Sequence, residues 1–445
     1  MKLLAGLAVL ALIASGVARP AASACTDQTL CHPEALAAFF HALDDTQAGT
    51  RTTPVHVLQI GDSHTANEMI SSPLRQRLQT RFGTGGRGVL PPGHPYWGFA
   101  PAGVDIVQSP GWRVEASFAI PARPSQGQDA VYAGLPPFGL SGWRLTSDLP
   151  GASLTLNADL GSDFDRAVVC VLMRPGAGTM TLTSNEAVQS FPLAAPQAKP
   201  ACLTAQFAGP RKHLSLTTQG GPVSITSWAT FAAGRGVVWS NLGVPGTQLS
   251  DFAARDDSVV AAELAAYAPD LIILAYGTNE GFDRDVDMAA YELLARQQVE
   301  RIKRLAPAAA ILVMGPPDAD TVRPDIPEDG KADLGFACAP LTDAETQNYG
   351  ALVSSRSASL ARWYPPANLE GVRAAMGRAA DAEGVAFWNW SARLGGPCSA
   401  HRMSQADPRE VRGDHIHFTA EGGERVADLL LGDIMAARTA QAGGR

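Results

Sequence analysis

Ser63 closes the stretch Val55-His56-Val57-Leu58-Gln59-Ile60-Gly61-Asp62-Ser63, an apolar, β-branched run that stops at Gly-Asp-Ser. A buried strand ending this abruptly presents its serine at a sharp turn, where backbone N–H groups become free to face a ligand. A serine hydroxyl alone is a weak nucleophile. It needs a histidine to take its proton, a carboxylate to orient that histidine, and donors for the oxyanion that forms on the substrate. The chain holds a candidate for each. In Gly413-Asp414-His415-Ile416-His417-Phe418, an aspartate precedes a histidine by three residues on a turn that opens a helix. Asp414 can accept from His417 Nδ1 while Nε2 faces outward as the base. Asn279, after the apolar run 271–274 and Gly277, offers a side-chain amide, and Gly246 offers a backbone N–H with no Cβ in the way. Each part alone has a plainer reading: a capping aspartate beside a surface histidine, a turn asparagine, a helix-entry glycine. Their joint order, each at the end of an expected strand or the start of a helix, is far less expected by chance.

Several elements must bring these residues together. Residues 33–46, with Leu36, Phe39, Phe40 and Leu43 at helical spacing, read as a short amphipathic helix. After Ser63, Ser72 as N-cap and Pro73 in the first turn open a helix carrying Leu74, Leu78 and Phe82, which Gly83 ends. From about 91 to 234 the pattern changes to short alternating or β-branched runs at 152–157, 167–173, 179–183, 213–217 and 223–229, the spacing of a β-sandwich or jelly roll. Strand-then-helix units resume at Gly236: strands at 237–239, 271–274, 310–314 and 385–388, with helices to about 266 and at 287–305, around 342–363, at 369–382, and after Thr419. Repetition of that unit implies a mainly parallel, three-layer α/β domain interrupted by a β-rich insert.

The first 24 residues read as an export signal: Lys2, an apolar run too short to span a bilayer, and Ala22-Ser23-Ala24 as a small-residue cleavage site. Lipid anchoring at Cys25 is the alternative, but the apolar run ends well upstream, which favours soluble export. The six cysteines all follow the expected cleavage site, which in an oxidising compartment permits three disulfides; neighbourhood suggests Cys25 with Cys31, Cys170 with Cys202, and Cys338 with Cys398. No CxxC spacing is present, so neither a metal nor another cofactor is expected. The formal charge is −8, and −10 once Lys2 and Arg19 leave with the signal; such a chain is a poor binder of nucleic acid. No membrane span and a monomeric state are expected.

The four blocks Gly61-Asp62-Ser63, Gly246, Gly277-Thr278-Asn279 and Asp414-His415-Ile416-His417 resemble those of the SGNH (GDSL-type) hydrolases. The resemblance implies a flavodoxin-like fold, ester hydrolysis through an acyl-serine on Ser63, His417 and Asp414, and an oxyanion hole of the Ser63 amide, the Gly246 amide and Asn279. Relatives tend to show Gly-x-Asn-Gly where this chain has Gly243-Val244-Pro245-Gly246, so Gly243 stands beside Gly246 as a candidate donor. A closer resemblance is to exported peptidoglycan O-acetylesterases, which share Ile-Gly-Asp-Ser-His-Thr, Ala-Tyr-Gly-Thr-Asn-Glu at 275–280, Gly-Pro-Pro-Asp at 315–318, and a β-sandwich insert like a carbohydrate-binding module. The implied organisation is a signal at 1–24, a hydrolase domain at 25–92 and 235–445, and the insert at 93–234. The implied partner is an O-acetylated cell-wall polysaccharide met in the periplasm or outside the cell. A polysaccharide O-acetyltransferase using the same residues, and a wall-glycan binder with a vestigial hydrolase half, are the competing readings.

Four further readings concern single residues. His64 either lines the pocket or caps the helix after Ser63. His56 is a satisfied core histidine, and His415 points away from Ser63. Trp97, Trp112, Trp143 and Trp228 are read as core aromatics in preference to sugar-stacking platforms.

Overall fold

The computed structural model describes residues 25, 29–118, 131–327, 329–335 and 337–443, so the expected signal at 1–24 lies outside the described residues. The apolar runs form a six-stranded sheet of β1 (Leu30–Cys31), β2 (Val55–Gly61), β3 (Val237–Gly243), β4 (Leu271–Ala275), β5 (Ala310–Met314) and β6 (Ala386–Trp388). In space they lie β1-β6-β5-β4-β2-β3, all neighbours parallel except β1 against β6. Counted from β2, the parallel strands follow the doubly wound order 2-1-3-4-5, whose switch point falls between β2 and β4. Every residue of β2, β3, β4 and β5 is buried, as strands covered on both faces require. On one face Leu58, Ile60, Ile272 and Leu274 pack with Val299, Ile302, Val372 and Met376 of the helices Met288–Leu305 and Leu369–Glu383. On the other, Val55, Val57, Ile273 and Leu312 pack with Leu74, Leu78, Val426 and Leu430 of the helices Ser71–Phe82 and Ala420–Gly443.

Between the helix Ser71–Phe82 and β3 the chain builds a five-stranded and a seven-stranded sheet. Leu154, Met180 and Leu216 from the first meet Leu145, Val169 and Ile225 from the second in one core. The strand Gly88–Leu90 is the seam with the α/β body, pairing with Val223–Phe231 while Val89 N–H donates to Ser240 Oγ on β3 at 2.8 Å. The 13-residue strand Lys199–Arg211, which the sequence pattern does not suggest, pairs with Phe164–Met173. Pro200, Gly209 and Pro210 obscure its alternation, and it tolerates them because it is the outermost strand of its sheet.

Other expectations shift. The helix after Ser63 starts at Ser71 with Ile70 as N-cap, not at Ser72, and the region 342–363 breaks into Asp343–Gln347, Tyr349–Ser354 and a 3-10 turn at Ala358–Leu360. After β3 come two helices, Leu249–Ala253 and Asp257–Tyr267, the second capped by Asp256. Trp112, Trp143 and Trp228 are buried, but Trp97 is 72% exposed and belongs to no core. The disulfides are Cys25–Cys31, Cys170–Cys202 and Cys338–Cys398. No described helix is long and apolar enough to cross a membrane.

Candidate active site

Ser63 begins the short helix Ser63–Ala66 directly after β2, at the carboxyl edge of the switch point. Its N-cap, Asp62, accepts the His64 N–H at 2.9 Å and so turns the chain sharply at the strand end. Ser63 Oγ lies 2.9 Å from His417 Nε2, and His417 Nδ1 lies 2.8 Å from Asp414 Oδ2, although Ser63 and His417 are 354 positions apart. The other oxygen of Asp414 accepts the backbone N–H groups of Ile416 at 2.9 Å and His417 at 3.0 Å. Burial works against the Asp414 charge, but the bonds from the His417 ring and these two amides outweigh it and hold the carboxyl well below its usual range. An ionised Asp414 accepting from Nδ1–H leaves Nε2 as the acceptor for the Ser63 hydroxyl.

The residue between them explains the turn. His415 adopts a left-handed φ of 58°, which sends its ring to the opposite side from His417. There it stacks on Trp363 with ring centroids 3.5 Å apart and meets Ser404 Oγ at 3.0 Å and His401 Nδ1 at 3.3 Å. His415 points away from Ser63, as read from the sequence, and in doing so it anchors the loop that carries Asp414 and His417.

Gly243 and Gly246 are sharply different. Gly243 packs so closely on the serine helix that a Cβ would lie 2.1 Å from Ala66 N, and its own N–H is taken by Asn241 Oδ1 at 3.0 Å. Gly246 has φ +79° with open space where a Cβ would be, and among the described residues nothing accepts its N–H. Asn279 Nδ2 donates to the Thr247 carbonyl at 2.8 Å, which ties it to the Gly246 loop and leaves its second amide hydrogen for a ligand.

Two positioning residues were not singled out from the sequence. Glu280 accepts Gly277 N–H at 3.1 Å and Leu249 N–H at 2.7 Å, clamping the loop after β4 to the one after β3; burial pushes its carboxyl up to about 7. Asn241 donates to Thr65 O and Ser71 Oγ, holding the serine helix against β3. Their only sequence signal is a polar residue at the end of a buried strand or just beyond it. His64, left open between pocket and cap, is buried. Its Nε2 meets the Ile416 carbonyl at 3.0 Å, and its ring stacks on His417 at 5.5 Å. Burial lowers its pKa, yet the hydrogen bond and charge of Asp62 raise it overall. His56 is a satisfied core histidine, bonded to Tyr267 O at 2.9 Å and Ser240 Oγ at 2.7 Å.

A serine, a histidine and an aspartate joined in series at the switch point of a doubly wound sheet make the architecture of an acyl hydrolase. The chain belongs to the GDSL-like lipase/acylhydrolase family, whose sequence model matches residues 203–425, and it is an SGNH esterase. That match begins in the insert's strand Lys199–Arg211 and runs through β3 and the Asp414–His417 turn into the helix Ala420–Gly443; Ser63 falls outside it. The chain is similar to a solved peptidoglycan O-acetylesterase at 25% sequence identity and a TM-score of 0.69, covering 93% of this chain and 100% of that one. An active-site mutant of a family two carbohydrate esterase from Clostridium thermocellum aligns at 12% identity over 65% of this chain and 93% of that one, with a TM-score of 0.25. A family 29 carbohydrate-binding module aligns at 12% identity over 33% and 89%, with a TM-score of 0.21. Neither of the last two reaches the similarity that defines a shared fold. No curated protein sequence matches.

Proposed function

We propose that this protein is an exported serine esterase that removes O-acetyl groups from peptidoglycan, with Ser63, His417 and Asp414 as its catalytic residues. The observation that carries the reading is the continuous hydrogen-bonded series from Ser63 Oγ through His417 to Asp414. In the proposed reaction Ser63 Oγ attacks the acetyl carbonyl carbon while His417 Nε2 takes its proton. The oxyanion is held by the amides of Ser63 and Gly246 and by Asn279 Nδ2. Collapse breaks the bond to the sugar oxygen, which leaves with the proton from His417, and the acetyl group stays on Ser63. Water then attacks this ester, again deprotonated by His417, and acetate departs with Ser63 restored.

The substrate class draws support from the similarity to a peptidoglycan O-acetylesterase along nearly the whole chain. Exposure of the site fits it too: His417 and Asp414 side chains are 30% and 42% accessible, which suits a short acyl group on a bulky polymer. Three disulfides and the apolar leader support export to an oxidising compartment, periplasmic or extracellular. We assign 25–92 and 235–445 to the hydrolase domain and 93–234 to a carbohydrate-binding insert. The test is acetate release from O-acetylated peptidoglycan and from acetylated xylan by the wild type and by Ser63→Ala. Release from peptidoglycan that vanishes in the folded variant supports the reading; equal release by Ser63→Ala refutes it.

A further inference from the structure

A cavity of about 490 Å³ lies on the outer face of the seven-stranded sheet, where that sheet meets the start of the helix Asp257–Tyr267. This size falls in the range of about 300–1,000 Å³ typical of small-ligand sites. One wall is the segment 135–137, fixed by Arg144, whose Nη1 donates to the Leu135 and Pro137 carbonyls at 3.1 Å each. Arg144 is neutralised by Glu115 at 3.0 Å, and Arg113 reaches the same carboxylate at 3.4 Å. Arg174 and Lys199 also line the cavity, are exposed, and have no carboxylate partner among the described residues. The remaining carboxylate, Asp256, is occupied in capping its helix. Four cations against these two carboxylates make a net-positive cleft in a chain whose formal charge is −8. The rest of the lining suits a sugar: the apolar rings of Pro136 and Pro137, and the hydroxyls of Thr146 and Ser224.

The helix capped by Asp256 packs through Asp257 on Arg301 and Arg304 of the helix Met288–Leu305, so the cleft sits where the insert meets the hydrolase domain.

We infer that this cleft binds carboxylate-bearing saccharide units of the polymer that is deacylated at Ser63. The inference rests on the polysaccharide-esterase reading and adds to it a second, anion-selective subsite. The carboxylates belong either to the peptide stems carried by the lactyl sugars of a wall glycan or to uronic acids, and the probes separate the two. Binding is measured calorimetrically on the full mature protein with acetyl-free muropeptide oligomers, oligogalacturonate and neutral chitohexaose. The expected result is that one carboxylate-bearing oligomer binds at least tenfold more tightly than chitohexaose. Arg174→Glu/Lys199→Glu loses that tenfold, whereas Lys212→Glu, a charge reversal elsewhere on the insert, does not. Should the double variant melt early, Arg174→Gln/Lys199→Gln replaces it with the same expectation of lost selectivity. Equal binding of neutral and charged oligomers, no binding at all, or affinity untouched by the double change overturns the inference. Small-ester turnover by wild type and Ser63→Ala, measured separately, tells whether the esterase reading stands or falls on its own.

Discussion

Asp414→Asn is the most informative single change at the candidate site. One Asp414 oxygen accepts two backbone N–H groups and the other accepts His417 Nδ1–H. Asparagine has one acceptor oxygen. If it keeps the two amide bonds that shape the turn, its N–H₂ group must face His417 Nδ1. Nδ1 then has to become the acceptor, so the ring proton moves to Nε2. Nε2 sits 2.9 Å from Ser63 Oγ, and in that tautomer it donates to the hydroxyl and no longer removes its proton. In a Ser-His-Asp protease the corresponding exchange lowers kcat by about 10⁴, near 5 kcal/mol at about 1.36 kcal/mol per factor of ten. The fold is expected to persist because the amide bonds survive. The assay is turnover of 4-nitrophenyl acetate near pH 7 alongside thermal melting. A well-folded Asp414→Asn protein within tenfold of wild-type kcat/KM would falsify the assignment of Asp414 as the orienter of His417.

Four more outcomes follow from the geometry. Gly243→Ala should lower stability by about 1–3 kcal/mol in urea unfolding, since its Cβ would meet the serine helix. Gly246→Ala, in open space, should lose only about 1 kcal/mol from its positive φ but lower kcat by shifting the N–H, and unchanged kcat would remove it from the oxyanion hole. His64→Phe strands the Ile416 carbonyl, a loss of about 1–3 kcal/mol that should appear in melting and as at least a fivefold drop in kcat/KM. His64→Gln, which can donate to that carbonyl, should recover part of both, and an unaffected Phe variant would reduce His64 to a filler. Burial, and then the neighbouring Asp318, raise the Asp320 carboxyl above its ordinary 3.8. As pH rises above that ordinary value the unfolded chain releases this proton first, so stability present at low pH is lost on going upward. Asp320→Asn should therefore raise the urea midpoint more at pH 8 than at pH 4; the opposite trend would reject a raised carboxyl there.

The sequence by itself determined the parts whose chemistry is local. A buried run ending in Gly-Asp-Ser is strand and turn wherever it is placed, and Asp414 reaches His417 across three residues because one turn spans that distance. The helix at Met288–Leu305 follows its apolar spacing, with Asp287 as the cap. Tertiary structure decided what depends on neighbours far along the chain. The Lys199–Arg211 strand exists because an edge position forgives its prolines, and Trp97 is exposed because the sandwich core closes without it. The choice between Gly243 and Gly246 was invisible in the glycines themselves. It depends on which one the serine helix crowds and whose N–H Asn241 has taken. Local pattern sets what each segment becomes, but contact between segments is set by which strands pair. In this fold it is β4 beside β2, reached by a crossover from β3 that passes over β2, that opens the crevice where Ser63 meets a histidine 354 residues away.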